Sequence, residues 1–269
     1  MREALERYVD QNCTYTLTAM KHSIVNDFPG TDLSVQTISR HLLGMLYTIK
    51  AVRIEPVTCN NEANKTKRKA FVDTLLQHQQ CGDYIVYYDE TNYNIYCHRT
   101  LGRAKKGQRA TLVLPPSNGP NLQVQCAVST EQGLVCHRLV HGSIKMVQNV
   151  AFVEEVYQAV KASASWNTNF EDKRVVIVLD NAPAHSQTEQ HVEPNEDLVL
   201  LRLGPYSPML NPIESCFSVL KAHIKRFLAS LTNVLFERGE FNSFLESRMR
   251  LLRSCPGKPS MHYLVIGYS

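Results

Sequence analysis

The spacing of apolar residues divides the chain into two parts near residue 80. The first part contains two short helical patterns. In "TLTAMKHSIVNDFPG" the apolar positions recur at helical spacing and Pro29-Gly30 ends the pattern. In "SVQTISRHLLGML" Ser34 is the predicted N-cap, and the buried stripe is formed by Val35, Ile38, Leu42 and Met45. The pattern therefore predicts two helices joined by a turn that contains glycine.

Two short helices around such a turn fit a helix-turn-helix, in which the second helix reads DNA. This interpretation gives residues 1–55 a DNA-binding role, with Gln36, Thr37 and Arg40 as contacts to bases or phosphates. The alternative is an ordinary helical hairpin whose polar side chains meet water. The following segment, "YTIKAVRIEP", could form the wing of a winged helix-turn-helix or a strand.

Residues 56–80 are charged and predict a basic, helical linker. Within them, "NKTKRK" carries four Lys or Arg residues. A run of this kind is usually a solvated face, and it is also a weak nuclear localisation signal.

From residue 81 the pattern changes to short β-branched and aromatic runs. Strands are predicted at "DYIVYYDE", "YNIYCHR", "ATLVLP", "LQVQCAVST", "LVCHRLV", "RVVIVLD" and "LVLLRL". Amphipathic helices are predicted at "VQNVAFVEEVYQAVKAS" and "IESCFSVLKAHIKRFLASL". Strands followed by alternating helices and strands indicate a mixed α/β layer fold over residues 81–269.

Composition adds few constraints. The 269 residues are 43% hydrophobic, with a net charge of +4, and no apolar run approaches the length of a membrane span. The eight cysteines have no CxxC spacing, which argues against structural zinc and favours free thiols in a reducing compartment. One segment, His98–Arg109, has no acid and five basic residues that could follow a DNA backbone: Arg99, Arg103, Lys105, Lys106 and Arg109.

Two of the predicted strands end on an aspartate. Asp89 shares a strand face with Ile85 and Tyr87, and Asp180 shares one with Val176 and Val178. Each residue alone could simply open a turn. If the strands are neighbours, the two carboxylates lie side by side and repel each other unless a cation lies between them. Oxygen ligands of this type suit Mg²⁺ or Mn²⁺.

A third carboxylate, Glu214, follows the Pro-rich stretch "GPYSPMLNP". Asn211 can cap the helix that begins there, Pro212 suits its first position, and Glu214 then completes a capping box. Taken alone, Glu214 is best explained as such a cap. A helix docked on the strand face would instead bring Glu214 to the two aspartates.

Three blocks, "YYDETNYN", "VLDNAPAHS" and "GPYSPMLNPIES", in this order resemble those of the mariner-like DDE transposases. The 33 residues between Asp180 and Glu214 are close to that superfamily's usual spacing. The resemblance covers roughly residues 81 to 228 and implies an RNase H-like catalytic domain. It implies that Asp89, Asp180 and Glu214 hold Mg²⁺ or Mn²⁺, as two ions, and that Asn181, His185 and Asn211 support the site.

The resemblance further implies a transposase that nicks transposon ends and joins the freed 3′-hydroxyl to target DNA. Its partners would be the terminal repeats, the target duplex and a second copy of the chain, in the nucleus if the host is eukaryotic and otherwise inside the cell. Such transposases usually carry two N-terminal helix-turn-helix units, and this sequence predicts at most one, so its N-terminus is expected to be truncated.

Two other interpretations stay open. One is a catalytically silent, transposase-derived protein that binds specific DNA sequences, either domesticated or a relic. The other is a different RNase H-like nuclease, such as a resolvase, which would not need the helix-turn-helix. The intact set of three carboxylates favours the enzyme.

Overall fold

The computed structural model describes residues 1–52, 54–117, 119, 121–181 and 188–254. The chain divides into two compact units, Met1–Val57 and Thr58–Ser269. No helix in the described ranges is both long and apolar enough to cross a membrane.

The first unit is a small bundle of three helices: α1 (Arg2–Gln11), α2 (Leu17–Asp27) and α3 (Val35–Gly44). Its core is centred on Leu5, Ile24 and Ile38, which are fully buried. The predicted cap of the third helix is confirmed, because the Ser34 hydroxyl accepts a hydrogen bond from the Thr37 amide at 3.1 Å. Both predicted helices are therefore present, as α2 and α3, and the structure adds α1 before them.

The wing predicted for "YTIKAVRIEP" does not form in the residues of this segment that the structure describes. Residues 47–52 and 54–56 adopt neither helix nor strand, and Ile49 and Ile54 are almost wholly exposed. A strand needs a partner for its backbone hydrogen bonds, and the described part of this unit contains only helices.

The second unit is built on a five-stranded sheet in the order β3-β2-β1-β4-β5. The strands are β1 (Tyr84–Tyr93), β2 (Leu122–Ser129), β3 (Gly133–His141), β4 (Val175–Leu179) and β5 (Leu198–Arg202). The first three strands pair in antiparallel fashion, whereas β4 pairs in parallel with both β1 and β5. Because β1 and β4 are buried on both faces, they appear in the sequence as nearly continuous apolar runs.

Helices cover both faces of this sheet. They are α4 (Glu62–Cys81), α5 (Met146–Lys161), α6 (Ala164–Asn169), α7 (Thr188–His191), α8 (Ile213–Ser230) and α9 (Phe244–Ser254). On one face, α4, α8 and α9 bury apolar residues against Ile85, Tyr87 and Val178. On the other face, α5 and α6 pack on Tyr84, Val86 and Ile177. The mixed α/β prediction is confirmed.

Most of the predicted linker belongs to the second unit. Residues 62–80 lie in α4, as the helical prediction required, but α4 contacts β1 and β5 and buries Phe71 in the sheet's core. Charged residues dominate α4, which is why the sequence of residues 56–80 predicts a connector. One apolar stripe, Phe71 with Val72 and Leu75, is enough to dock the helix.

Two of the predicted strands do not form. The chain leaves the sheet at Tyr93, and the described residues from 94 to 117 contain turns but no strand. The apolar residues of "ATLVLP" are largely exposed at Leu112 and Val113. The two predicted strands come after β1 in the chain. Both edges of β1 are already paired, one with β2 and the other with β4, so β1 offers neither of them a backbone partner.

Candidate active site

Asp89 and Asp180 lie at the same level of the sheet. Asp89 is inside β1, which continues to Tyr93 and does not end at the aspartate as predicted, whereas Asp180 directly follows the last residue of β4. The parallel register pairs Ile85 with Val176 and Tyr87 with Val178. Two residues further along each strand lie Asp89 and Asp180, in the same phase as these pairs. Both carboxylates therefore project on the face covered by α4 and α8, and both are half-buried.

The Asp89 carboxylate accepts two hydrogen bonds. The Glu90 backbone amide donates to Oδ1 at 2.7 Å, and the Asn211 side-chain amide donates to Oδ2 at 3.2 Å. Burial nevertheless raises the pKa of Asp89 to about 7, and the negative charges of Asp180, Glu90 and Glu214 add to this rise, while the Glu90 amide opposes it. Asp89 thus lies in a cluster of negative charge that favours a bound cation.

Glu214 lies in the first turn of α8 and its side chain is exposed. The capping-box alternative is not observed, because the N-cap is Pro212 and makes no side-chain cap hydrogen bond. Asn211 serves the helix differently. Its Oδ1 accepts from the Ile213 amide at 3.4 Å while its Nδ2 donates to Asp89, so one side chain, 3% exposed, joins the helix start to the strand.

The loop before Glu214 is held against α4 by Arg68. The guanidinium donates to the Pro205 carbonyl at 3.2 Å and to the Cys59 carbonyl at 2.8 Å. A Cβ atom added at Gly204 would come within 2.8 Å of the Arg68 Cα, so the two backbones approach as closely as they do because residue 204 has no side chain. Arg68, part of the predicted basic linker, therefore has a structural role.

Asn181 follows Asp180 directly. Its side-chain amide donates to the Leu203 carbonyl, which joins the end of β4 to the end of β5. The predicted supporting role of Asn181 stays a prediction. His185, the other predicted supporting residue of this block, lies outside the described residues.

The chemistry of the three carboxylates fits a divalent metal ion. Asp and Glu oxygens are the ligands that Mg²⁺ and Mn²⁺ prefer, and the charges of Asp180, Glu90 and Glu214 add to the rise in the pKa of Asp89 that burial causes. In the side-chain positions of the described residues, however, no three His, Cys, Asp or Glu groups are close enough to ligate one ion together. Asp89 and Asp180 are level on neighbouring strands, whereas Glu214 is exposed at the helix start.

The predicted DNA-contacting residues lie in two places. In α3, Gln36 and Arg40 are exposed and Thr37 is half-buried. The other five side chains are exposed in the irregular segment that follows β1: Arg99, Arg103, Lys105, Lys106 and Arg109.

A buried polar network that the sequence did not predict lies on the opposite face of β1. The Gln125 side-chain amide donates to the Tyr88 hydroxyl at 2.8 Å and to Asn149 Oδ1 at 2.9 Å, and Tyr88 also contacts Glu90, the residue after Asp89. The available signal was Asn149, a polar residue on the apolar face of a predicted helix. The network supports β1 where it presents Asp89.

Residues 84–234 match the family described as DDE superfamily endonuclease. The match covers more than half of the chain, so the chain belongs to this family. The predicted family resemblance is confirmed. No curated protein matches this chain at a significant level.

Several solved structures share the fold. The chain is 18% identical to the protein in "Mos1 transposase paired-end complex with left transposon end", with a TM-score of 0.59 over 99% of this chain and 78% of that one. The protein in "Crystal structure of the Mos1 mariner paired end complex with Mn" is also 18% identical, with a TM-score of 0.60 over 100% of this chain and 79% of that one. For "Crystal structure of the Mos1 Strand Transfer Complex" the identity is 18% and the TM-score 0.60, over 99% of this chain and 77% of that one. At this identity the similarity establishes the RNase H-like fold.

Proposed function

We propose that the protein is a transposase: a divalent-metal-dependent DNA endonuclease and strand-transferase that acts on transposon ends. The observation that carries the proposal is the register of β1 and β4, which puts Asp89 and Asp180 level on adjacent buried strands. Membership of the endonuclease family and the fold shared with the Mos1 complexes support the same reaction class.

In this proposal Asp89, Asp180 and Glu214 hold Mg²⁺ or Mn²⁺, as two ions. When bound, such a pair would supply the activation of a water or 3′-hydroxyl and the stabilisation of the leaving oxygen of a phosphodiester. The chain's own contribution is positional. The two strands hold the aspartates through backbone hydrogen bonds, Asn211 orients the Asp89 carboxylate, and the first turn of α8 carries Glu214.

DNA contacts are proposed in both units. In the first, Gln36, Thr37 and Arg40 of α3 would read the terminal repeat as the recognition helix of a helix-turn-helix. In the second, the basic side chains from Arg99 to Arg109 would follow the phosphate backbone. A homodimer that pairs two ends, and residence in the nucleus of a eukaryotic host, belong to the same proposal; mariner Mos1 structures are described as paired-end complexes.

The test is incubation of the full chain with supercoiled plasmid and Mg²⁺ or Mn²⁺, beside the Asp180→Asn variant. Nicking by the wild type alone, lost on chelation, is expected. Asp180→Asn keeps the size of the side chain, so DNA binding should remain. Equal nicking by the variant would reject this site. DNA binding without nicking by the wild type would instead favour the catalytically silent DNA-binding protein.

A further inference from the structure

The residue after Asp89 is a further carboxylate, Glu90, whose side chain lies on the opposite face of β1. Successive side chains of a strand alternate between its two faces, and the side chain of Glu90 is half-buried. The Glu90 backbone amide donates to Asp89 Oδ1 at 2.7 Å. Glu90 therefore contacts Asp89 through its backbone, while its side chain belongs to the other side of the sheet.

The backbone of β1 has a strand partner on only one edge at Asp89 and Glu90. In the part of the chain that the structure describes, β4 pairs with β1 from Tyr84 to Tyr87 and no further. On the other edge, β2 pairs with β1 as far as Tyr93. Ribbons of two strands twist more than the interior of a sheet does, so the peptide between Asp89 and Glu90 is less constrained than those before it.

The Tyr88 hydroxyl holds the side chain of Glu90. This hydroxyl accepts a hydrogen bond from the Gln125 side-chain amide at 2.8 Å, and it contacts both Glu90 Oε1 and Asn149 Oδ1. It has one proton to donate. Asn149 Oδ1 already accepts from Gln125, and a carboxylate is the stronger acceptor, so the Tyr88 proton goes to Glu90.

The surrounding network fixes the position of Tyr88. Tyr88, Gln125 and Asn149 are fully buried, and the Tyr88 ring packs against Phe152 with 5.0 Å between the ring centroids. Gln125 directs its amide group at Tyr88 and Asn149, and its own Oε1 is buried without a hydrogen-bond partner among the described residues. An unpaired buried acceptor lowers stability, so this arrangement orients Tyr88 rather than maximising the stability of the fold.

We propose that Tyr88 and Glu90 are positioning residues of the metal site: Tyr88 holds the Glu90 side chain, and the Glu90 backbone amide thereby fixes one carboxylate oxygen of Asp89. The inference rests on the proposed function and deepens it. Oδ1 of Asp89 is held by this amide and Oδ2 by the Asn211 side chain, and each oxygen keeps a lone pair for a cation. The Glu90 carboxylate, bound to Tyr88 on the other face, is not itself a metal ligand.

The test measures Mn²⁺ binding by the full chain, without DNA, from the electron paramagnetic resonance signal of the free ion. Tyr88→Phe removes the hydroxyl and keeps the ring that packs against Phe152. It should weaken Mn²⁺ binding by roughly 10-fold, the lower end of the usual cost of removing a residue that orients a metal ligand. The Mg²⁺ concentration that gives half-maximal plasmid nicking should rise by a similar factor.

Tyr157→Phe is the matched control. It also removes a hydroxyl on this face of the sheet, one that donates to Asp197 at 2.7 Å. Mn²⁺ affinity and the Mg²⁺ requirement of nicking should both stay at the wild-type values in this variant. A loss of Mn²⁺ affinity equal to that of Tyr88→Phe would overturn the inference.

Two substitutions of Glu90 separate positioning from metal ligation. Glu90→Gln and Glu90→Ala both remove the charge, but only glutamine keeps an oxygen that can accept from Tyr88. Glu90→Gln should therefore bind Mn²⁺ more tightly than Glu90→Ala. Because Tyr88 acts through Glu90, the double variant Tyr88→Phe/Glu90→Ala should bind Mn²⁺ as tightly as Glu90→Ala alone. Equal affinities in the glutamine and alanine variants, or additive losses in the double variant, would overturn the inference.

Stability is followed separately from metal binding. Fluorescence of Trp166, the single tryptophan and buried in the second unit, reports the free energy of unfolding of each variant. A network with a merely structural role would lower that free energy in Tyr88→Phe and leave the Mn²⁺ affinity of the folded protein unchanged. That result would overturn the positioning role.

Plasmid nicking separates this inference from the proposed function. Nicking by the wild type with unchanged Mn²⁺ affinity in Tyr88→Phe keeps the nuclease and removes the positioning role. Weaker Mn²⁺ binding in Tyr88→Phe, without any nicking by the wild type, keeps the positioning role and rejects the nuclease. Absence of Mn²⁺ binding by the wild type overturns both.

Discussion

The two aspartates and Glu214 are positioned by different means. Asp89 and Asp180 continue buried strands whose register is set by a ladder of backbone hydrogen bonds and by apolar packing on both faces. Glu214 begins a helix that follows a nine-residue loop, Gly204 to Pro212, and this loop is held by individual side chains. The strand part of the site therefore depends on the core, and the helix part depends on a few polar contacts.

This difference shows where the site can be disturbed without unfolding the protein. Shortening one apolar side chain in the strands weakens packing but leaves the ladder, and so the relative position of the aspartates, in place. Removing one contact of the loop should shift the start of α8, and with it Glu214 and the hydrogen bond from Asn211 to Asp89. Four predictions test this contrast, from the largest expected effect on cleavage to the smallest.

Asp89→Asn should abolish metal-dependent nicking. The substitution keeps the shape of the side chain but removes a negative charge that the metal ions require. Because the charge is half-buried among other carboxylates, the free energy of unfolding followed by Trp166 fluorescence should not fall. Retention of wild-type nicking would show that Asp89 is not part of the site.

Asn211→Ala should reduce nicking by roughly 10- to 100-fold, the usual cost of removing a residue that orients a metal ligand. It removes both the hydrogen bond to Asp89 and the one to the Ile213 amide. Asn195→Ala, in a surface turn where the side chain bonds the Glu193 carbonyl, is the control and should not change nicking. Equal rates in the two variants would mean that the hydrogen bond from Asn211 does not orient the Asp89 carboxylate for cleavage.

Gly204→Ala should lower the free energy of unfolding by roughly 1–3 kcal/mol, because the added methyl group collides with the Arg68 backbone and the loop must shift. Nicking should fall as well, by less than in Asn211→Ala. Arg68→Lys tests the same contact from the other side, since lysine cannot reproduce the fork that binds Pro205 and Asn60. If Gly204→Ala had the wild-type free energy of unfolding, the loop at residue 204 would not pack closely against the Arg68 backbone of α4.

Val176→Ala should leave nicking per folded molecule unchanged while lowering the free energy of unfolding by roughly 2 kcal/mol, the cost of two buried methyl groups and the cavity they leave. Urea denaturation followed by Trp166 fluorescence measures the loss. A large drop in nicking at temperatures where the variant is fully folded would contradict the view that the ladder alone keeps the aspartates level.

Much of this molecule follows from local pattern. Period-two and near-continuous apolar runs correctly indicated β1 and β4, and the phase of each run placed Asp89 and Asp180 on one strand face. Helical spacing indicated α3, α5 and α8, and Ser34 marked the start of α3. Such patterns are readable because burial imposes the period of the element on the sequence.

The tertiary structure decided what those elements contact. That β1 lies between β2 and β4, that Asn211 bonds Asp89 rather than closing a capping box, and that a highly charged helix docks on the sheet all depend on residues far apart in the chain. The apolar run "ATLVLP" has the composition of a strand. It lies outside the sheet, and its residues Leu112 and Val113 are exposed. Local sequence sets the period and the candidate chemistry, whereas the choice of partner is a competition across the whole fold, which no single segment records.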